Sequence, residues 1–252
     1  MRAEIRIGTS GWQYGHWRGT FYPEKCSPAK MLSIYIQHFS SVEVNNTFYK
    51  LPRAEAMRNW AAAVPKDFCF AVKASRFITH NKKLIDPQNF LGKFLPAVEV
   101  LDEKLGPILF QLPPKWRVNV ERLEEFLSAL PRYHRYAFEF REMSWNVPRV
   151  LDILRRYNAA YCVYELAGYL SPIEVTADWA YVRLHGPGDK YQGRYERRAL
   201  RHWADRVVDW SAQLKAVYFY FDNDDSGYAA QNALELKRLV ERSIRPIRKK
   251  TA

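Results

Sequence analysis

Residues 180–186 read AYVRLHG, and the alternation within this stretch indicates the fold. Successive side chains of a β-strand point to opposite faces, so Tyr181, Arg183 and His185 share one face and Val182 and Leu184 share the other. The apolar face suits a layer of helices. The polar face, which ends in two basic side chains, suits the interior of a closed sheet. The stretch therefore predicts a barrel strand with polar residues at its carboxyl end.

Seven further runs of apolar, β-branched and aromatic residues have the same character. Together, the eight predicted strands cover residues 5–10, 41–47, 68–75, 107–112, 136–141, 160–165, 180–185 and 216–222. Most of the intervening segments carry apolar residues at helical spacing. One such stripe consists of Leu200, Trp203, Val207, Trp210 and Leu214. Eight strands alternating with helices predict an α/β protein with a single (β/α)8 barrel of the TIM type. A doubly wound open sheet is the structural alternative, although its glycine fingerprint is missing.

The connection between the sixth and seventh predicted strands breaks the pattern. Residues 167–178 read AGYLSPIEVTAD, with a glycine, a proline and no apolar stripe. We therefore expect the sixth helix to be reduced or missing. With no linker and no internal repeat, we predict one barrel domain over residues 1–241 and a basic C-terminal tail over residues 242–252.

Composition narrows the class of protein. A hydrophobic fraction of 48% excludes a disordered chain, and no apolar run is long enough to cross a membrane. The three widely spaced cysteines and the absence of an apolar leader predict a cytoplasmic protein with no membrane partner. Lys and Arg number 39 against 27 Asp and Glu, a net charge of +12. Such a field attracts nucleic acid or small phosphorylated anions, although it equally serves solubility.

Charged residues gather at the carboxyl ends of the predicted strands, where barrel enzymes carry their chemistry. The acids there are Glu43, Glu139, Glu165 and Asp222, and the cations are Lys73, Arg141 and Arg183. Buried charges need partners of opposite sign, and these four acids and three cations nearly balance. A purely structural ion-pair network is therefore the alternative to a functional site.

Two loops favour an anion site. The segments after the seventh and eighth strands read GPGDKYQGRY (186–195) and NDDSGYAAQNA (223–233), and loops at these positions commonly hold phosphate in this fold. Asp224 and Asp225 oppose an anion there. In the first loop, Trp12, Tyr14 and Trp17 either form an aromatic shelf for a base or sugar, or pack as core.

The first hypothesis is an enzyme that acts on a small anionic, phosphate-bearing substrate at the carboxyl-terminal mouth of the barrel. Glu139 is the first choice for a general acid or base, and His185 can transfer a proton near neutral pH. Lys73, Arg141 and Arg183 would clamp the substrate, and Asp222 completes the candidate catalytic set. Hydrolysis, isomerisation and elimination would all use these groups, so the class (hydrolase, isomerase or lyase) stays open.

The second hypothesis is a nucleic-acid-binding protein, either non-catalytic or nuclease-like, supported by the charge, the basic tail and the aromatic loop. A divalent metal at Glu139, Glu165, His185 and Asp222 is a related alternative. Three cations in the same lumen would repel a dication. We therefore expect no tightly bound metal, and no cofactor is evident.

Seven blocks of sequence resemble, in order, those of the DUF72 family, also called the YecE-like family. They are GTSGWQYGHW (8–17), VEVNNTFYKLP (42–52), FAVKASRFITH (70–80), GPILFQLPP (106–114), FEFREMSW (138–145), YVRLHG (181–186) and YFDNDDSGYAAQNA (220–233). The resemblance covers about residues 5–240 and implies a TIM-like barrel of unestablished function. A nuclease-like role is suggested for the family only by analogy with barrel DNA-repair endonucleases.

The resemblance also implies a set of shared polar positions beyond the candidate catalytic residues. The substrate-binding residues that we expect from it are Trp12, Glu43, Asn45, His80, Gln111, Arg141, Trp145, Arg183 and Asn223.

Overall fold

Parallel strands form the inner wall of the protein in a computed structural model, which describes residues 3–50 and 53–244. The strands are β1 (Glu4–Thr9), β2 (Ser41–Val44), β3 (Cys69–Lys73), β4 (Leu105–Leu112), β5 (Tyr136–Phe140), β6 (Ala160–Leu166), β7 (Tyr169–Leu170), β8 (Trp179–Leu184) and β9 (Ala216–Phe221). The α-helices are α1 (Pro28–Tyr35), α2 (Asn46–Tyr49), α3 (Ala54–Ala62), α4 (Pro87–Glu99), α5 (Val120–Ala129), α6 (Pro148–Arg156), α7 (Arg197–Gln213) and α8 (Tyr228–Ile244).

Eight of these strands pair in parallel in the order β1-β9-β8-β6-β5-β4-β3-β2. The sheet closes on itself between β1 and β2 through a parallel bridge from Ser10 to Glu43, where the Gly11 N–H donates to the Glu43 carbonyl oxygen at 2.7 Å. The (β/α)8 barrel predicted from the sequence is thereby confirmed. The second strand is shorter than predicted, because residues 46–49 turn into α2.

The connection from β6 to β8 contains no helix in the part of the chain that the structure describes, as predicted. Ala167 and Gly168 both have positive φ, 52° and 76°, and the chain reverses there into an antiparallel β6–β7 pair. A two-residue turn of this kind matches the twist of the strands it joins, and it sends the chain back along the sheet at once. The segment between β7 and β8 is held against the barrel by the Thr176 hydroxyl, which donates to the Ala159 carbonyl oxygen at 2.6 Å.

The barrel interior has an apolar lower part and a charged upper part. Small residues on one side, among them Ala71 and Ala137, face large rings on the other. The rings come from β8 and β9 and are Trp179, Tyr181, Tyr218 and Tyr220. Because these rings fill the lower lumen, the charged side chains at the strand ends lie above a closed floor. A second, larger apolar core lies between the outer face of the strands and the helices.

The last helix extends further than the predicted domain boundary. α8 ends at Ile244, so residues 242–244 of the expected tail are helical, and residues 245–252 lie outside the described residues. Within the residues described, no helix is both long and apolar enough to cross a membrane.

The closure between β1 and β2 requires glycine at position 8. A Cβ added to Gly8 would overlap the carbonyl oxygen of Ser41 and lie 3.0 Å from the Tyr35 hydroxyl. We expect Gly8→Ala to lower the free energy of unfolding by about 2–3 kcal/mol, measured by chemical denaturation. Gly92→Ala is the matched control, because a Cβ in the middle of α4 meets nothing within 4 Å. It should raise stability by up to about 1 kcal/mol. Equal stabilities for the two variants would contradict the tight closure.

Candidate active site

Arg183 lies at the centre of the charged upper lumen and is completely buried. Its Nη2 donates to Glu43 Oε1 at 2.8 Å and to Asp222 Oδ2 at 3.2 Å, and its Nη1 donates to Glu139 Oε2 at 2.7 Å. These carboxyl groups come from β2, from β5 and from the residue after β9. One side chain therefore joins three separate walls of the barrel.

Glu43 is fully enclosed and well supplied with donors. Besides Arg183, the Ser10 hydroxyl donates to its Oε1 and the Tyr181 hydroxyl donates to its Oε2 at 2.6 Å. Both carboxyl oxygens are therefore satisfied within the protein. Glu43 was expected to bind substrate, but in this geometry its hydrogen-bonding capacity is directed to its neighbours.

His185 forms the second part of the network. Arg141 donates from Nε to Glu139 Oε1 and from Nη2 to His185 Nε2 at 2.9 Å. Guanidinium nitrogens are donors only, so His185 Nε2 is the acceptor. The proton of the neutral ring is then on Nδ1, which donates to Asp222 Oδ2 at 2.9 Å. Asp222 thus fixes the tautomer of His185, a common arrangement for a proton-transferring imidazole.

The electrostatics keep this network charged. Burial would raise the pKa of Glu139, but the guanidinium groups of Arg141 and Arg183 hold it well below its ordinary range. Burial would also raise the pKa of Asp222, but the hydrogen bond from His185 and the charge of Arg183 lower it. Burial would lower the pKa of Arg183, but the surrounding carboxyl groups raise it well above its usual value.

Lys73 is the third cation of the upper lumen and differs from the two arginines. Its Nζ lies 4.3 Å from the centre of the Phe48 ring, and only 9% of the residue is exposed. Across residues 3–50 and 53–244, the carboxyl groups of the network form ion pairs with Arg141 and Arg183, and none forms an ion pair with Lys73. Burial, together with repulsion from Arg183, lowers the pKa of Lys73 to about 8.

The turn after β2 positions the Phe48 ring. The Thr47 hydroxyl donates to the Lys73 carbonyl oxygen at 2.6 Å, which ties α2 to the end of β3. His80 packs edge-on against the same ring, with 5.1 Å between ring centres. Burial and the charge of Lys73 lower the pKa of His80 to about 4, so its ring is neutral at neutral pH.

Several polar atoms near the mouth are buried without a hydrogen-bond partner among the described residues. They are Asn45 Oδ1, Gln111 Oε1 and Trp12 Nε1. Gln111 lies opposite Glu139 in the β4–β5 register, two residues beyond the partner of Lys73 in the β3–β4 register. Asn45 and Trp12 line a cleft of about 190 Å³ between the segments after β1 and β2. An unsatisfied buried acceptor costs free energy, so such atoms mark places where a ligand or water is accommodated.

Two of the expected substrate-binding residues are placed away from this group. Trp145 is fully buried, stacks on Phe140 and donates from Nε1 to the Trp116 carbonyl at 2.7 Å. Asn223 is also fully buried, and its Nδ2 donates to the Gly193 carbonyl and to Asn232 Oδ1, both at 2.9 Å. Trp145 therefore supports packing, and Asn223 holds the loop after β8 against α8.

The expectation that Glu165 faces the lumen is wrong. Ala160 and Cys162 of β6 face the interior, so alternation turns Glu165 to the outer side. There it lines a surface cleft with Arg194, Arg198 and His202. Within the described ranges, no group of three or more His, Cys, Asp or Glu side chains is arranged to hold a metal ion.

The aromatic residues of the first loop are mostly core. Trp12 is 3% exposed and Trp17 is fully buried, with Trp12 edge-on to Trp60 at 5.2 Å. Trp17 donates from Nε1 to Asp224 Oδ1, and His16 lies 3.0 Å from Asp224 Oδ2. Of the two interpretations of this loop, core packing describes both tryptophans. Asp224 occupies the rim between the loops that follow β1 and β9.

Sequence reasoning did not single out Ser10, Phe48 or the Tyr181 hydroxyl as members of the site. Tyr181 carried a usable signal, because it shares the face of Arg183 and His185 along β8. Ser10 follows β1 at the barrel closure, and the sequence gives no indication of its contact with Glu43. The position of Phe48 was not predicted, because the second strand was expected to run to residue 47. The turn that brings the Phe48 ring to Lys73 begins before that residue.

The central role of Arg183 can be tested by stability. Arg183→Met removes the partner of Glu43, Glu139 and Asp222 and leaves their charges buried. We expect it to lower the free energy of unfolding by about 3–5 kcal/mol. Arg155→Met is the control, since Arg155 pairs with Asp152 while 47% of its side chain is exposed. The control should cost less than about 1 kcal/mol. A loss for Arg183→Met no larger than that of the control would show that Arg183 does not organise the lumen.

Comparison with known proteins agrees with the architecture described above. The chain is 25% identical over 275 residues to the UPF0759 protein YunF of Bacillus subtilis, with 94% of this chain and 95% of YunF covered. It is 32% identical over 111 residues to the UPF0759 protein YecE of Escherichia coli, a match that covers 44% of this chain and 41% of YecE. The crystal structure of a DUF72 family protein from Thermotoga maritima superimposes with a TM-score of 0.83 at 29% identity, covering 94% of this chain and 99% of that one. The family model described as "Protein of unknown function DUF72" matches residues 6–252, and the chain therefore belongs to the DUF72 family.

Proposed function

We propose that this protein is an enzyme that binds a small anionic, phosphate-bearing substrate at the carboxyl-terminal mouth of its barrel. The observation that carries the proposal is Lys73, a nearly buried cation that forms no ion pair among the described residues, next to carboxyl groups that pair directly with Arg141 and Arg183. An anion arriving at the mouth would form a direct ion pair with Lys73, whereas the carboxyl groups of the network act on Lys73 only from a distance. Burying a charge without a direct partner is costly, which favours a site whose ligand supplies that partner.

The other polar and charged residues around Lys73 would each have a different role in this enzyme. The low pKa of Glu139 makes it a weak proton acceptor, so we assign it to holding Arg141 and Arg183 rather than to proton transfer. His185 would transfer the proton at Nε2, with Asp222 holding its tautomer. Arg141 Nη2 is bonded to that nitrogen, and an anionic group that attracts Arg141 would release it. Asn45 and Gln111 would accept hydrogen bonds from the substrate through their unsatisfied oxygens.

Binding and turnover test this proposal. We expect sn-glycerol 3-phosphate to bind the wild-type protein in calorimetry, and Lys73→Met to weaken binding about 10- to 100-fold, the range for a hydrogen bond to a charged group. Lys66→Met is the control, because 89% of the Lys66 side chain is exposed. Turnover would be sought with phosphoesters, sugar phosphates and abasic DNA, and should be lost in Lys73→Met. Equal affinity in Lys73→Met and Lys66→Met would reject the assignment.

A second candidate function, binding of nucleic acid, is favoured by a groove between α7 and α8. The groove has a volume of about 430 Å³, and its lining includes four arginines together with Gln231 and Glu235. The arginines are Arg194, Arg197, Arg238 and Arg242. Arg194 precedes α7, Arg197 begins it, and the other two arginines lie on α8. A group of guanidinium groups of this kind suits the phosphates of a polyanion, which bind with release of counterions.

The groove is tested by the salt dependence of DNA binding. For a short single-stranded DNA, the combined change Arg194→Ala and Arg238→Ala should reduce the slope of log affinity against log salt by about 1–2. Arg155→Ala, placed on α6, is the control and should leave the slope unchanged. Binding that is absent at low salt, or that does not depend on these two arginines, would exclude the groove as a nucleic-acid site.

A further inference from the structure

We propose that Lys73 forms a covalent imine with the carbonyl carbon of its substrate, which makes the substrate a phosphorylated, hydroxylated aldehyde or ketone. This inference rests on the proposed function, because it assigns the chemistry of the same site. It goes further by naming the reacting atom, Lys73 Nζ, and the functional group that the substrate must carry.

An imine-forming lysine needs a neutral amine in a site with little water. Lys73 meets this requirement by its surroundings: the aromatic face of Phe48 lies beside Nζ, and the nearby carboxyl groups are held by arginines. The charged or titratable groups that act on Lys73 and on its neighbour His80 are Glu43, Arg76, Glu139, Arg141, Arg183 and Asp222. With a pKa of about 8, about a tenth of Lys73 is uncharged at pH 7, far more than for an ordinary lysine.

The reaction is balanced without any further reactant. The lone pair of neutral Lys73 Nζ forms a bond to the carbonyl carbon, and the carbonyl oxygen takes a proton to give a carbinolamine. That hydroxyl then leaves as water, and the nitrogen is left as a protonated imine. The ammonium form of Lys73 and the carbonyl compound together give an iminium ion and one water molecule.

Formation of the imine keeps the charge of the lumen constant. Three carboxyl groups, Glu43, Glu139 and Asp222, surround two guanidinium groups, and Lys73 supplies the third cation. An iminium ion carries the same single positive charge as the ammonium ion that it replaces. The covalent step therefore leaves the electrostatic balance of the buried network unchanged, whereas neutralisation of Lys73 by acylation would disturb it.

The unsatisfied acceptors indicate the hydroxyl groups of the substrate. Gln111 Oε1 and Asn45 Oδ1 are buried without partners in the described part of the chain. Gln111 lies two residues further along β4 than the register partner of Lys73, and Asn45 directly precedes α2, which carries Phe48. Both can only accept at these atoms, so each calls for a donor. Hydroxyl groups next to a carbonyl would supply such donors.

Reductive trapping tests the inference. The full-length protein would be incubated with glyceraldehyde 3-phosphate and sodium cyanoborohydride, whose hydride reduces an iminium ion to a stable secondary amine. Peptide mapping by mass spectrometry then measures the adduct on each lysine. We expect the yield on Lys73 to exceed that on the exposed Lys66 at least about tenfold, because exposed amines are almost fully protonated at neutral pH. Lys73→Arg should abolish the selective adduct, whereas Lys66→Arg should leave it unchanged.

A matched ligand separates failure of this inference from failure of the proposed function. sn-Glycerol 3-phosphate has the same phosphate and no carbonyl group, so it should compete with trapping at Lys73 without forming an adduct. If it binds in a Lys73-dependent way but the aldehyde gives no selective adduct, the imine is excluded and the anion site stands. If neither compound binds at Lys73, both proposals are rejected.

Discussion

The contacts of the buried Arg183 guanidinium group determine how the upper part of the barrel is built. This one side chain touches carboxyl groups from β2, β5 and the end of β9, so its position fixes three walls relative to one another. Burying these charges is costly unless each has a partner. Ser10, Tyr181 and Arg141 complete the set, so that both oxygens of Glu43 and of Glu139 accept hydrogen bonds within the protein, and His185 bonds to Asp222 Oδ2.

Lys73 and His185 differ from the paired acids and arginines of the lumen. The acids and arginines are committed to each other, whereas Lys73 faces an aromatic ring and His185 has a fixed tautomer. The difference between these two groups of residues follows from their positions in the fold, since all of them are charged or polar and lie at the ends of strands.

The sequence was sufficient to predict the barrel, the missing sixth helix and the inward orientation of Glu43, Glu139 and Arg183. These features depend on local periodicity, which is visible in a single chain. The pairing of charges was not predictable, because Arg183 could reach any of three acids and only the barrel closure selects among them. Glu165 was misplaced for a local reason: it stands one residue beyond Tyr164, and a single-residue shift in a strand reverses the face. Burial of Trp145 against Trp116 depends on packing between connections that are distant in sequence.

The pairing of β1 with β9 has a consequence for synthesis of the chain. Glu4 is in register with Ala216, and six such pairs join the two strands, whereas β1 meets its sequence neighbour β2 mainly at the bridge from Ser10. β1 therefore cannot form its main pairing until β9, the last strand in the described part of the chain, has been synthesised. Long-range pairing of this kind raises contact order and slows folding. Until then the backbone N–H and C=O groups along that edge of β1 have no strand partner and can pair with another chain.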